Sequence, residues 1–349
     1  MLSPKLKIFI FTLLISLFSF VQLHADDAPV AGQLLGALEI EKPEWFKESF
    51  LDFREDATEA AEDGKHMLVF ADLKGCPYCA KMLQDSFKTS IKDGGNREFI
   101  QTNFDTIHID IKGSREVTFD DNLIVPEKEL AEALQVKFTP TLLFMNANNK
   151  VVARTSGYRS PREFQQVLNY VKEKAYETTD FPSYRKANLT DSVYELMPHE
   201  KFTQITDFKT AFDSDKPLAI LFEDKTCDDC ARFHKETLDQ PEIHAQMAKF
   251  NFVRLDALSD DEIIDTDGNK TTASDWLVKK GISYRPAILL FGDGELRADV
   301  AGLIKTHHFQ QMLAYVGDKK FKEYKTWLDY EDVITAEMLK AGKNVDIWK

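Results

Sequence analysis

HMLVFADLKGCPYC, residues 66–79, decides how this chain is read. His66 to Ala71 is a short β-rich run, and Cys76 and Cys79 form a tight pair just after it, opening a helical stretch to about Phe87. The same order returns at LAILFEDKTCDDC, residues 218–230, where the run Leu218 to Phe222 leads to Cys227 and Cys230. Cys76 and Cys227 lie 151 positions apart, and Pro140 and Pro286, each at the head of a later apolar run, lie 146 apart. A near-constant offset across two independent landmarks marks an internal duplication.

Working outward, the first copy begins with a helix from Pro43 to Glu62, whose apolar positions are Phe46, Phe50, Leu51 and Phe53. Beyond the cysteines come a helix at Asn96 to Asn103, a strand at Thr106 to Ile111 and a helix at Glu127 to Gln135. Phe138-Thr139-Pro140 then enters the strand Thr141 to Met145, and a polar turn at Asn146 to Lys150 returns the chain as Val151 to Thr155. A helix from Pro161 to about Tyr176 closes the copy, with Pro where its missing N–H costs nothing. The second copy offers a strand at Phe252 to Leu255, a helix at Ala273 to Lys280 and Tyr284-Arg285-Pro286 before the strand Ala287 to Phe291. A turn at Gly292 to Gly294 and a helix from His308 to Val316 follow. Between the copies, Thr178 to Glu200 has weak periodicity, and Glu331 to Ala341 reads as an added C-terminal helix. The expected domains are therefore residues 26–180 and 181–349.

The 349 residues suffice for two domains after a leader is removed. A hydrophobic fraction of 43% and a charged fraction of 29% are those of a soluble globular protein. A formal net charge of −14 disfavours nucleic acid as a partner, because phosphate backbones attract basic surfaces. Lys5 and Lys7 followed by the apolar run Ile8 to Val21 and Leu23-His24-Ala25 read as a cleaved secretory signal over residues 1–25. An uncleaved anchor is the alternative, although the run is short for a span. No second run of spanning length follows, so no stable membrane insertion is expected. The leader places the protein in the periplasm.

Four cysteines in two such pairs are poorly suited to stapling, since each ring would close over two residues and constrain the unfolded chain little. Zinc knuckles share the spacing but usually lie 15–20 or so residues apart, whereas a whole domain separates these. A pair at the start of a helix is set up for redox chemistry. Unpaired N–H groups and the helix dipole favour a thiolate there, lowering the first cysteine's pKa from about 8.5 towards 3.5–7.5. Cys76 and Cys227 would attack a disulfide, and Cys79 and Cys230 would resolve the mixed disulfide.

Strand, Cys-x-x-Cys helix and an X-Pro loop some 60 residues on resemble the thioredoxin superfamily over roughly Pro43–Tyr176 and Phe202–Val316. The first copy is similar to the periplasmic thioredoxins associated with sulfur-oxidation gene clusters. The resemblance implies an α/β fold of two tandem thioredoxin-like domains, each a mixed sheet flanked by helices. It also implies that the prolines are cis, that Thr139-Pro140 and Arg285-Pro286 bind substrate beside Pro77 and Tyr78, and that no organic cofactor or metal is needed. Substrates would be protein or small-molecule disulfides or dithiols, with a redox partner supplying or accepting electrons. The expected activity is that of a reductase. An oxidase, an isomerase, and a binding or chaperone module with one working site are the alternatives.

The departures carry expectations of their own. Gly75 and Thr226 stand where thioredoxin has Trp, and Phe70 and Leu221 where it has a buried Asp. Instead Asp72 and Glu223 precede each first cysteine by four residues and are candidate proton acceptors for the resolving thiol, although an exposed acid at a strand end is the more ordinary reading. Asp228 and Asp229 should raise the pKa of Cys227 and make the second disulfide more reducing, unless Lys74, Lys81 and Lys225 offset them. His234 reads as a surface residue, as do His307 and His308. Asp265 to Asn269 reads as a polar insertion loop rather than a calcium loop, since Gly268 comes fourth and Trp276 stands where a closing Glu is needed.

Overall fold

The computed structural model describes residues 31–349. The expected leader, residues 1–25, lies outside that range. In the first half the elements are β1 (Leu34–Leu35), α1 (Phe53–Glu62), β2 (His66–Asp72), α2 (Pro77–Met82), α3 (Arg97–Asn103) and β3 (Phe104–Asp110). A hairpin of β4 (Glu116–Asp120) and β5 (Leu123–Pro126) precedes α4 (Glu127–Ala133), β6 (Thr141–Met145), β7 (Val151–Ser156) and α5 (Pro161–Lys172). A short helix, α6 (Phe181–Ala187), occupies part of the stretch that lacks periodicity in the sequence. The second half comprises β8 (Leu218–Glu223), α7 (Cys230–Phe233), α8 (Pro241–Met247), β9 (Asn251–Asp256), the hairpin β10 (Glu262–Ile264) and β11 (Lys270–Thr272), and α9 (Ala273–Lys279). It ends with β12 (Ala287–Gly292), β13 (Glu295–Ala301), α10 (Thr306–Gly317), α11 (Trp327–Lys340) and β14 (Val345–Asp346).

Two four-stranded sheets, ordered β3-β2-β6-β7 and β9-β8-β12-β13, share one topology. The first pair in each is parallel and the other two pairs are antiparallel. β2 and β8 are buried at every residue because helices cover both faces of each sheet. Their side chains alternate between two cores. Met67, Val69 and Ala71 enter a core private to the first half, and Leu218, Ile220 and Phe222 one private to the second. Leu68 and Phe70 instead join Ala219 and Leu221 in a single cluster that runs through both halves, with α5 and α10 contributing Phe164, Val167, Phe309 and Met312. The two halves are thus fused through one face of each sheet, and the first cysteine pair lies in that shared core.

Several expectations change. The helix placed at Pro43 to Glu62 starts only at Phe53, because Asp52 caps it by accepting from the N–H groups of Arg54 and Glu55. The stretch before it crosses the sheet edge, with Lys47 N–H donating to the Thr106 carbonyl at 2.8 Å. Thr203 N–H makes the matching bond to the Phe252 carbonyl at 2.7 Å, so the repeat includes the segment that enters each sheet edge. Asp265 is fully buried at a hairpin turn, where its Oδ1 accepts from the N–H groups of Asp267 and Asn269. α11 extends further than expected and leads to β14, which pairs parallel with β1 and joins the two ends of the described chain.

Candidate active site

Each cysteine pair is closed as a disulfide in this structure. In the first, Cys76 caps α2, and Pro77 at the first helical position loses no hydrogen bond. Gly75, at φ +85°, supplies a left-handed turn into the cap that a side chain would disfavour. Cys76 Sγ receives two hydrogen bonds, from Cys79 N–H at 3.2 Å and from the Thr139 hydroxyl at 3.3 Å. The Thr139-Pro140 peptide is cis and brings the threonine to the sulfur. Both donors would stabilise a thiolate on Cys76. Cys76 is 8% exposed and Cys79 fully buried, so Cys76 is the more accessible residue of the pair.

The second pair is built differently, which corrects one expectation. α7 begins at Cys230, with Asp229 and not Cys227 at its cap position, so Cys227 lies outside the helix it was expected to open. Thr226 is held by Asp224, which accepts from its N–H at 2.8 Å and its hydroxyl at 2.6 Å. Arg285-Pro286 is also cis, but the buried Arg285 side chain turns to Asp224 at 3.2 Å, and burial lowers its pKa to about 10. No described donor reaches Cys227 Sγ. The two acids between the cysteines are matched by cations. Asp228 meets Arg162 Nε at 3.0 Å and the Ser160 hydroxyl at 2.7 Å, both from the start of α5. Asp229 pairs with Arg232, and burial raises its carboxyl pKa. Two uncompensated charges beside Cys227 are therefore not what the structure holds.

The strand-end acids are buried, against the more ordinary reading of them, and each faces a histidine. His108 Nε2, from β3, stands 2.9 Å from Asp72 Oδ2. His234 is 2% exposed rather than at the surface, and its Nε2 lies 2.9 and 3.1 Å from the oxygens of the fully buried Glu223. Arg254 of β9 takes the sheet position that His108 holds in the first half, so the second histidine has to come from beyond α7. His307 and His308 also depart from the surface reading, since α11 brings Glu331 to 2.6 Å from His308 Nδ1.

A segment of chain lies over each disulfide. Over the first, Leu38 N–H donates to the Gly75 carbonyl at 3.2 Å, while Trp348 and His308 flank the Tyr78 ring. Tyr78 Oη accepts from Lys305 N–H at 2.9 Å, and Trp327 stacks on Phe138 beside the cis-proline loop. Over the second, Val193 and Tyr194 donate from their N–H groups to the Lys225 carbonyl, and Tyr194, Leu196 and Met197 pack on Cys227 and Cys230. Cys227 is 1% exposed as a result. The Tyr194 hydroxyl reaches Glu223 at 3.3 Å, and burial followed by that carboxylate pushes its pKa up to about 12. Cys76, Cys79, Pro77, Tyr78, Thr139 and Pro140 thus come together at one site, and Cys227, Cys230, Glu223, Arg285 and Pro286 belong to its counterpart. The covering segments and the histidines are additions that no local sequence pattern signals.

Residues 53–172 and 206–317 each match the thioredoxin-like domain family. No curated protein matches the chain. Among solved structures, the chain is similar to a thioredoxin-fold protein from Helicobacter pylori at 24% identity, over 40% of this chain and 95% of that one, with a TM-score of 0.31. It is also similar to the DsbD C-terminal domain of Neisseria meningitidis in its reduced form, at 22% identity over 29% and 81%, with a TM-score of 0.23. The alkylhydroperoxide reductase AhpF of Enterococcus faecalis is similar at 15% identity over 78% and 100%, with a TM-score of 0.26.

Proposed function

The chain belongs to the thioredoxin-like domain family and is a thiol–disulfide oxidoreductase, and we propose that it is an exported, periplasmic reductase of protein disulfides. The observation that carries the disulfide-exchange chemistry is the pairing of a doubly hydrogen-bonded sulfur at Cys76 with a fully buried Cys79, and the titration below decides its direction. Cys76 as thiolate attacks one sulfur of a substrate disulfide, and the other sulfur leaves as a thiolate that takes up a proton. Cys79 gives its proton to an acceptor, for which the buried Asp72 is the candidate. It then attacks Cys76, releasing the substrate's second sulfur and closing the Cys76–Cys79 disulfide. Pro140 and Thr139 shape the groove, with Pro77 and Tyr78 at its rim. A partner dithiol restores the reduced form, and no organic cofactor or metal takes part in this exchange. Export rests on the leader at residues 1–25. No helix among the described residues is long and apolar enough to cross a membrane.

The second pair plays the same parts with Cys227 attacking, Cys230 resolving and Glu223 as acceptor. Its thiolate has neither the hydroxyl donor nor the helix cap of the first, so its reduced form is less stabilised and its disulfide is the more reducing. That asymmetry comes from Arg285 replacing Thr139 and from the later helix start, not from Asp228 and Asp229.

Titration of the mature protein in dithiothreitol and glutathione buffers, with each pair followed by thiol labelling and mass spectrometry, tests the reading. Potentials below about −230 mV, with the Cys227 pair the lower, are expected of a reductase. Values near −120 to −180 mV would make the protein an oxidase or isomerase instead. Full biological activity after serine replacement of both Cys76 and Cys227 would mark it as a binding module.

A further inference from the structure

We infer that His199, Asp239 and His244 form a site for one divalent transition-metal ion of the zinc class, fastening the segment that covers the second disulfide. The three ligand atoms lie within 4.8 Å of one another. His199 Nε2 stands 3.3 Å from His244 Nε2 and 3.8 Å from Asp239 Oδ1. Two nitrogens bound at about 2.0–2.1 Å to a tetrahedral ion are about 3.3–3.4 Å apart, so the imidazoles already have the needed spacing. Their rings stand at 81°, converging through their nitrogens rather than stacking. Asp239 is exposed and can close the remaining gap by a side-chain rotation, leaving a fourth position for water. Two imidazoles and a carboxylate suit zinc and its neighbours better than magnesium or calcium. Among the described residues, no lysine or arginine pairs with Asp239, so its charge is free to meet a cation.

The three residues come from separate places in the chain. His244 belongs to α8 and Asp239 follows the π-helical turn after α7, whereas His199 belongs to the covering segment. Met197, two residues before His199, packs on the cysteines, and Phe202, three residues after it, pairs with Phe252. An ion here would tie the segment down midway between those contacts. Without the ion, Lys201 N–H donates to His199 Nδ1 at 3.1 Å, which puts the ring hydrogen on Nε2, facing His244. Binding moves that hydrogen to Nδ1. Two hydrogen bonds of His199, the one accepted from Lys201 N–H and the one shared with His244 Nε2, are given up for three coordination bonds, and His244 already presents its lone pair.

The metal site stands apart from the redox reading, and only its effect on access to Cys227 rests on that reading. The test uses the mature protein with both disulfides closed, so that no thiol can bind metal, stripped with chelator and titrated with Zn²⁺ by calorimetry and with Co²⁺ by visible absorption. One ion per chain and the absorption bands of a four-coordinate site are expected. His199→Ala and His244→Ala, each checked for native circular dichroism, should weaken binding by at least roughly tenfold. Amide exchange across residues 193–203 should slow when Zn²⁺ is bound. No saturable binding, or binding unchanged in both variants, overturns the site, and binding without slowed exchange overturns the clamp. Because the disulfides stay closed, failure of the redox reading leaves these outcomes unaffected.

Discussion

At Cys76 the sulfur is held by a backbone N–H and by the Thr139 hydroxyl, and the second of these can be removed without disturbing the helix. A hydrogen bond to a charged acceptor contributes about 1.5–3 kcal/mol, and for a two-electron couple 1.4 kcal/mol corresponds to about 30 mV. Thr139→Val should therefore destabilise the thiolate and make the Cys76–Cys79 disulfide more reducing by roughly 30–60 mV, as read in a dithiothreitol titration. An unchanged potential would mean that the hydroxyl does not act on the thiolate. The buried Glu223–His234 contact makes a second residue-scale case. His234→Ala leaves the buried Glu223 side chain with only the Tyr194 hydroxyl as partner, and should lower unfolding free energy by about 1–3 kcal/mol. Urea midpoints would show this, and a loss near zero would mean that the contact with His234 contributes nothing to stability.

At the scale of elements, the covering segments control which sulfur is reached. The one over Cys227 is short and irregular, held by two N–H bonds to Lys225 and by Tyr194 packed on the cysteines. Segments with few buried contacts open at small free-energy cost. Tyr194→Gly removes the aromatic cover and its hydroxyl contact with Glu223. A change of about 1.4 kcal/mol in the opening equilibrium is tenfold. Alkylation of Cys227 in reduced protein should accordingly quicken by about tenfold or more, while Cys76 alkylation stays as it was. Equal rates in variant and parent would show that other contacts hold the segment in place.

Across the whole molecule, the two halves are joined by buried polar groups as well as by the shared core. Arg159 donates across the junction to the Ala301 carbonyl at 2.6 Å and lies over the Tyr284 ring at 3.9 Å. Gly302, at φ +129°, leaves room for that guanidinium, because a Cβ there would collide with it. Glu163 lies close by, 3.4 Å from Arg185, with its Oε2 unpartnered. Burial pushes its carboxyl from 4.5 up to about 7, although Arg185 and Arg159 pull the other way. A raised acid keeps its proton in the folded state after the unfolded chain has lost its own, so folding weakens as pH rises between these values. Stability should fall by roughly 1–3 kcal/mol from pH 4.5 to 7, and Glu163→Gln should flatten that fall in urea titrations across the range. A wild-type curve already flat there would mean that the arginines keep Glu163 ionised.

Strands, cysteine pairs and the duplication were legible in the chain because each is local. β6 runs from Thr141 to Met145 as its apolar run indicates, and β2 and β8 end one residue beyond theirs. Hydrophobic runs, a two-residue cysteine spacing and a proline before a strand are written within a few positions of one another. What surrounds the sulfurs was not legible. Asp72 meets His108 from the neighbouring strand, Tyr78 meets Lys305 from 227 positions away, and Leu38 crosses Gly75 from ahead of the first copy. The start of α7 also escaped local reading, since the ties of Thr226 to Asp224 and of Asp228 to Arg162 hold the chain ahead of Cys230 out of the helix. The sequence by itself determined two sheets of one topology and the position of a cysteine pair on each. The tertiary structure alone decided that both pairs are covered and which groups support their thiolates unequally. Those properties depend on partners brought together by packing the two halves, and no periodicity along the chain encodes such contacts.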